Sequence, residues 1–375
     1  MNKRVLTGWR LFLAQDWLAI LLAAGLLTAG LFFIYSASWR GAETGIVGVW
    51  FPKQILWVVI GGATALALAF TDYHFWLRHS GWIYAAVLGL LGLVLVVGKK
   101  VYGAYRWLEI FGLPVQPSEF AKVALVLVLA RMLASPVVRP RSFWTVLGAL
   151  ALAAAPFVLI LKEPDLGTAM ILLPVAALML FAAGASLRHL MGLGALAVAL
   201  APLGWFVLGD YQRERILTFL DPSRDPLAAG WNALQSAIAV GSGGLFGKGY
   251  LNGTQNVLGF LPRTVAPTDF IFPVLAEETG FIGASLLLLA YAGLLSCYLR
   301  TAWTARDPAG SLLATGIASL LFSHVFVNIG MTIGLLPITG LPLPLVSSGG
   351  SFMVSTLAGF GLVQSVHVRR KRREV

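Results

Sequence analysis

Long apolar runs, broken by short joints of polar, glycine and proline residues, make up most of the chain. A helix needs roughly 17–25 mostly apolar residues to cross the hydrocarbon core of a membrane. Ten segments meet or approach that length: Trp17–Ser38, Phe51–Phe70, Trp82–Val97, Ser118–Ala134, Phe143–Leu161, Leu166–Ala183, His189–Leu208, Phe270–Leu299, Ser311–Leu335 and Ser347–Val366. The eighth would be roughly 45 Å long at about 1.5 Å per residue, so it is expected to begin outside the hydrocarbon. The pattern predicts an all-α polytopic integral membrane protein with ten transmembrane helices, forming a single domain over residues 1–375.

One long connection, residues 209–269, separates the seventh and eighth spans. Leu227, Trp231, Leu234 and Ile238 recur in it at helical spacing. They predict an amphipathic helix, either lying on the membrane surface or packed on its own bundle. The run Gly241–Gly249 is not a P-loop, because Ser242 stands where the first glycine belongs and Gly249 follows Lys248. It reads as a flexible loop touching the headgroups. Pro156, Pro174 and Pro202 are expected to interrupt their helices.

Composition supports the membrane reading. Of 375 residues, 58% are hydrophobic and 11% charged, with mean hydropathy +0.83. An average soluble domain has about 25% charged residues, so a water-soluble enzyme and a disordered chain are both excluded. The single Cys297 excludes a disulfide framework and a cysteine-rich metal site. The net charge of +11 lies scattered over loop ends, from Lys3, Arg4 and Arg10 to Arg369–Arg373, rather than on one face. That is a positive-inside signature, not a nucleic-acid surface. It places both termini in the cytoplasm and the 209–269 loop outside, with Trp17–Ser38 a retained span rather than a signal peptide.

Candidate chemistry lies where polar residues meet span ends. Four motifs do so: Gln116-Pro117-Ser118-Glu119, Lys162-Glu163-Pro164-Asp165, Pro267-Thr268-Asp269 and Ser347-Ser348-Gly349-Gly350-Ser351. Each opens an even-numbered span on the outer side. Helix N-termini offer unpaired N–H groups and partial positive charge, so these ends, with Arg106, Lys122 and Lys162, suggest a phosphate site. N-capping by Ser118, Asp165, Asp269 and Ser347 is the simpler account of each motif alone. Glu119 and Lys122 share a helix face, and neither is tolerated unpaired in lipid. Glu277 and Glu278 read as polar glue between helices. The five histidines lack metal-ligand spacing. A charged cavity of this kind suits either chemistry on an outer-leaflet substrate or transport.

These residues carry a resemblance. Gly103-x-x-Arg106-Trp107, Gln116-Pro117-Ser118-Glu119-x-x-Lys122, Glu163-Pro164-Asp165-Leu166-Gly167-Thr168, Gly247-Lys248-Gly249, Thr268-Asp269-Phe270-Ile271-Phe272 with Glu277-Glu278-x-Gly280, and Gly334 to Pro344 resemble the SEDS family (shape, elongation, division and sporulation), most closely its elongation branch. The resemblance implies a peptidoglycan glycosyltransferase in the bacterial cytoplasmic membrane that polymerises lipid II into a growing glycan strand for cell elongation and rod shape. Its partners would be a class B penicillin-binding protein and the elongation machinery. Asp269 falls on the family's catalytic carboxylate. Substrate contacts are expected from Arg106, Glu119, Lys122, Lys162, Asp165, Ser347 and Ser348, and a divalent cation (Mg or Mn) bridging carboxylate and pyrophosphate fits the chemistry. A flippase for the lipid-linked precursor is the alternative. Just before Asp269 the chain departs from the family, carrying Arg263 and Pro267 in place of an acidic residue and a histidine.

Overall fold

In the computed structural model, residues 9–39, 49–101, 104–110, 112–207, 209–225 and 229–370 are described. Lys3, Arg4, Gly103, Leu208, Leu227 and Lys371–Arg373 lie outside them. The elements run α1 (Trp9–Leu13), α2 (Trp17–Ser38), α3 (Trp50–Phe70), α4 (Tyr73–Val97), β1 (Lys99–Val101), β2 (Ala104–Ile110), β3 (Leu113–Val115), α5 (Pro117–Leu133), α6 (Phe143–Lys162) and α7 (Leu166–Ala182). They continue with α8 (Leu187–Val207), α9 (Asp210–Leu220), a 3₁₀ turn (Pro222–Arg224), α10 (Ala229–Ser242), α11 (Thr254–Val257), α12 (Ile271–Thr304), α13 (Pro308–Thr332) and α14 (Gly350–Val368). A helix lies over each of the ten predicted segments. Seven of them, α2, α3, α4, α6, α12, α13 and α14, are long and apolar enough to cross a membrane.

Side-chain caps set several starts. Asp16, Asp72, Asp165 and Asp307 accept backbone N–H bonds from Ala19, His74, Thr168 and Gly310. Each cap satisfies a donor the first turn cannot pair internally. The interior helices are α13, α14 and the shorter α5, whereas α2, α3, α4 and α6 keep apolar side chains on the outside, such as Leu21, Val59, Val96 and Trp144. Close packing relies on small residues: a Cβ on Gly361 of α14 would stand 2.4 Å from the Ala65 carbonyl of α3. Without a hydrophobic force between helices in lipid, such approach is what holds them together.

At the end of the bundle near the chain termini, charge is paired off. Arg300 bonds Asp16 at 2.7 Å, Gln364 accepts from the Asp16 N–H, and Arg369 lies 3.8 Å from Asp72. Tyr73 donates to Asp307. Some of the scattered basic charge thus stitches helix ends together.

Several expectations are corrected. Pro156, Pro174 and Pro202 sit inside continuous helices; neighbours within a bundle tolerate the lost bond. Residues 99–115 form an antiparallel sheet of order β1-β2-β3, which the apolar pattern concealed. The 209–269 connection is largely structured, with three helices and a 3₁₀ turn. In α10 the stripe Trp231, Leu234 and Ile238 is exposed, while Gly230, Gln235, Ser236 and Ala239 face the bundle and Ser236 donates to the Thr332 carbonyl. The glycine run is no loose loop. It fits against a kink in α12 at Gly280 (φ 67°), where a Cβ would meet the Gly247 nitrogen at 2.3 Å. Only glycine combines that left-handed backbone with that approach. Lys248 reaches the fully buried Glu277 at 2.6 Å, and Glu278 accepts from Ser36 of α2. The two glutamates therefore tie the 241–257 connection to the bundle as well as helix to helix.

Candidate active site at the mouth of the bundle

The four polar motifs, far apart in sequence, meet. The Gln116 N–H donates to Ser351 Oγ at 2.8 Å, and its amide donates to Asp165 at 3.3 Å. Ser347 donates to the Thr268 carbonyl and accepts from the Leu343 N–H, both within 2.8 Å. The Ser348 N–H donates to the Pro267 carbonyl at 2.9 Å. Gln54 of α3 bonds both sides of the serine turn, donating to the Ser347 carbonyl and accepting from the Gly349 N–H. A backbone-pinned mouth results, built from the loops before α5, α7, α12 and α14.

Asp269 stands in this mouth, half-buried, one residue before the cap of α12. Its carbonyl accepts from Asn328 of α13 at 3.0 Å, and Asn328 also holds the Leu341 carbonyl at 2.7 Å. A Cβ on Gly340 would come 3.3 Å from Asp269 Oδ2, so the Thr339-Gly340-Leu341 turn lies beside the carboxyl. Burial pushes the Asp269 carboxyl up to about 6. Thr268, Arg215 and Arg106 pull it down, and Asp165 pushes it up further. A helix N-terminus favours the ionised form of a carboxyl that caps it. Desolvation wins instead, because α12 starts at Ile271 with Phe270 as its cap.

Asp165 is buried and caps α7, taking both the N–H and the hydroxyl of Thr168. Arg106, carried by β2, lies 4.0 Å from it and donates to the carbonyls of Glu163 and Pro164. The hairpin is thus what delivers this guanidinium to the mouth. Glu163 is fully buried, and burial with the neighbouring Asp165 raises its carboxyl to about 8, Arg106 opposing.

The other expected residues are placed unevenly. Lys162 is exposed at the end of α6 and has no ion-pair partner among the described residues. Ser347 is buried and both its hydrogen-bonding roles serve backbone. Ser118 is buried and does not cap α5, whose cap position is Gln116. Glu119 and Lys122 pair at 2.7 Å, but Lys122 is shut inside the bundle. Its ammonium also meets His324 Nε2 at 2.9 Å and the Phe352 ring at 5.2 Å. The expected direct phosphate contact by Lys122 is unavailable in this arrangement, because three side chains enclose the ammonium. A small cavity of about 40 Å³ adjoins this group, lined by Glu119, Lys122, Tyr298, His324, Phe352 and Ser355.

Sequence reasoning missed Arg215, Gln54, Asn328 and His324. Asn328 and His324 sit four residues apart within an apolar helix, where polar side chains must have partners. That spacing was the available signal.

Among the described residues no group of three or more His, Cys, Asp or Glu could hold a metal. Asp165 lies near enough to Asp269 to push the Asp269 carboxyl up. Two hard carboxylates fit a divalent cation whose remaining ligands come from a phosphate.

Comparison with known proteins completes the picture. A family model for the FtsW/RodA/SpoVE cell cycle proteins matches residues 16–372. The peptidoglycan glycosyltransferase MrdB of Escherichia coli (strain K12) is 41% identical over 372 residues, covering 99% of this chain and 97% of that protein. The peptidoglycan glycosyltransferase RodA of Treponema pallidum is 32% identical, covering 95% and 98%. A solved peptidoglycan synthase complex, described as coordinating polymerization and crosslinking, contains a chain with TM-score 0.78 and 34% identity, covering 95% of this chain and 98% of that one. The crystal structure of the rod shape determining protein RodA of Thermus thermophilus matches with TM-score 0.71 and 32% identity, covering 96% and 99%. On a match that runs almost end to end, this chain belongs to the FtsW/RodA/SpoVE family of cell cycle proteins, the SEDS family.

Proposed function

We propose that this protein is a peptidoglycan glycosyltransferase that polymerises lipid II at the outer face of the bacterial cytoplasmic membrane, with Asp269 as the base. The observation that carries the reading is the meeting of Asp269, Asp165 and Arg106 from three separate segments at one mouth of a membrane bundle. A sugar hydroxyl attacks the anomeric carbon that bears the lipid pyrophosphate. The new C–O bond forms as the bond to pyrophosphate breaks, and the hydroxyl proton passes to the Asp269 carboxylate. A carboxyl held near 6 is a stronger base than an ordinary aspartate and still mostly ionised at neutral pH. Arg106, Arg215 and the N-terminus of α7 supply positive potential for the departing pyrophosphate, which then needs no protonation. Lys162, Ser348 and the backbone held by Ser347 rim the same mouth. Glu119 and Lys122 form its buried support. A divalent cation, where bound, would be held by Asp165 and Asp269 and would neutralise pyrophosphate charge.

The reading includes ten crossings, with α5 and α7 shielded by their neighbours and α8 turning apolar side chains such as Met191, Val198 and Phe206 outward. Both termini are cytoplasmic and residues 209–269 extracytoplasmic. The exposed stripe of α10 supports an interfacial placement for that helix. The partner is a class B penicillin-binding protein within the elongation machinery, which crosslinks the strands made here. Purified protein with lipid II alone should yield glycan polymer, and Asp269→Asn should not. Transbilayer movement of lipid II without polymer would support the flippase instead. Cysteines at Ser223 and Arg372 in a Cys297→Ser background test sidedness: an impermeant thiol reagent should label only the first on intact cells.

A further inference from the structure

Helix α13 touches the site twice. Asn328 holds the carbonyl of Asp269, and His324, one turn away on the same face, meets the ammonium of Lys122. The two positions differ by about 6 Å along the helix axis. An ammonium only donates, so His324 Nε2 accepts and the ring proton resides on Nδ1. Lys122 in turn pairs with Glu119 in the first turn of α5. That turn begins with Gln116, which bonds Asp165 and Ser351. His324 is buried, its ring lies against Phe352 of α14, and no part of the chemistry proposed above uses it.

We propose that His324 is a positioning residue: by accepting from Lys122 it fixes the height of the first turn of α5, and so of Asp165, relative to the Asp269 that Asn328 holds. Helix α13 then works as a ruler between the two carboxylates of the mouth. The alternative is that His324 merely fills space beside Lys122. Two observations favour the ruler. The contact is to Nε2 at hydrogen-bond distance rather than a face-on stack, and the second polar residue of the same helix face grips the catalytic loop itself. The inference rests on the proposed glycosyltransferase reading.

Three substitutions separate the ideas in full-length protein reconstituted with lipid II. Gln places an amide oxygen where Nε2 accepts, Asn places its amide nearer Nδ1, and Leu offers no acceptor. His324→Leu and His324→Asn should lower kcat about tenfold or more, as expected for losing a hydrogen bond to a charged group, with KM for lipid II little changed. His324→Gln should restore most of kcat. Thermal midpoints of the Gln and Asn proteins should agree, so that the split between them cannot be one of folding. Equal activity of the Gln and Asn proteins would overturn the ruler, as would wild-type kcat in His324→Leu while Lys122→Met is inactive. Full activity of Lys122→Met would overturn both the ruler and the supporting role given to Lys122.

Discussion

Two lysine–glutamate pairs seat a buried carboxylate in this protein, and they are built for different ends. In the Lys248–Glu277 pair the carboxylate is saturated: it takes the ammonium at 2.6 Å, the Thr254 hydroxyl at 2.9 Å and the Gln255 N–H at 3.0 Å. The Lys248 N–H returns a bond to the Glu277 carbonyl. Every partner belongs to the 241–257 connection, so the pair acts as a clasp that presses that connection onto α12. The Glu119–Lys122 pair, at 2.7 Å, joins α5 to α13 and α14 through His324 and Phe352, beside a cavity and under the mouth. The clasp spends its charge on local backbone, while the second pair links helices that carry the site. Burial of charge alone therefore does not mark function; which elements the partners belong to does.

That contrast can be broken experimentally. The largest effect is expected at the mouth: Asp269→Asn should reduce polymerisation about 10²–10⁴-fold, the range for a lost general base. The variant should remain folded, because the Asp269 contact to Asn328 is through backbone. Next, Lys122→Met should strongly reduce polymerisation at near-normal thermal midpoint. Lys248→Met should do the reverse, costing about 3 kcal/mol by leaving Glu277 unpaired, with activity per folded molecule little changed. Matching profiles for the two lysine variants would erase the distinction. Gly280→Ala should cost at least about 1–2 kcal/mol, since its positive φ and the contact with Gly247 both exclude a side chain. A denaturation series on the variant checks this.

Two titrations sharpen the comparison. Polymerisation should rise with pH through about 6 as Asp269 ionises, and a flat profile across pH 5–7 would remove that carboxyl as the base. Glu163 has a raised folded value of about 8 against an ordinary 4.5. The folded protein then holds the proton longer than the unfolded chain, so stability falls as pH rises between those values. Glu163→Gln should flatten that slope and have the smallest effect on activity at neutral pH.

Much of the fold was legible because the bilayer imposes lengths on apolar runs. The predicted Trp17–Ser38 coincides with α2, and Phe143–Leu161 falls one residue short of α6. The hairpin before α5 was not legible. Its strands are short, and Lys99, Lys100, Tyr105 and Arg106 give no strand alternation strong enough to read. Its consequence is large, since it delivers Arg106. The Gly241–Gly249 run looked like a free loop for a related reason: glycine signals close approach without saying to what. Gly247 answers to Gly280, more than thirty residues on.

At the site, residue types pointed to helix starts, and the helices do start there. What those residues do was a different matter. Asp165 caps its helix, whereas Ser347 and Ser118 do not, because caps depend on backbone angles that the following turn decides. The spacing of His324 and Asn328 in an apolar helix signals that both have partners, but only packing chooses which.

By itself, the sequence determined that this chain is a multi-span membrane protein, since no globule of this size can hide so much apolar surface, and it placed the polar motifs at the ends of spans. Only the tertiary structure decided that Asp269, Asp165 and Arg106 share one mouth and that Lys122 is sealed beneath it. The reason is physical: hydropathy is a sum over neighbours in the chain, while a half-buried carboxyl near 6 depends on three segments folded around it.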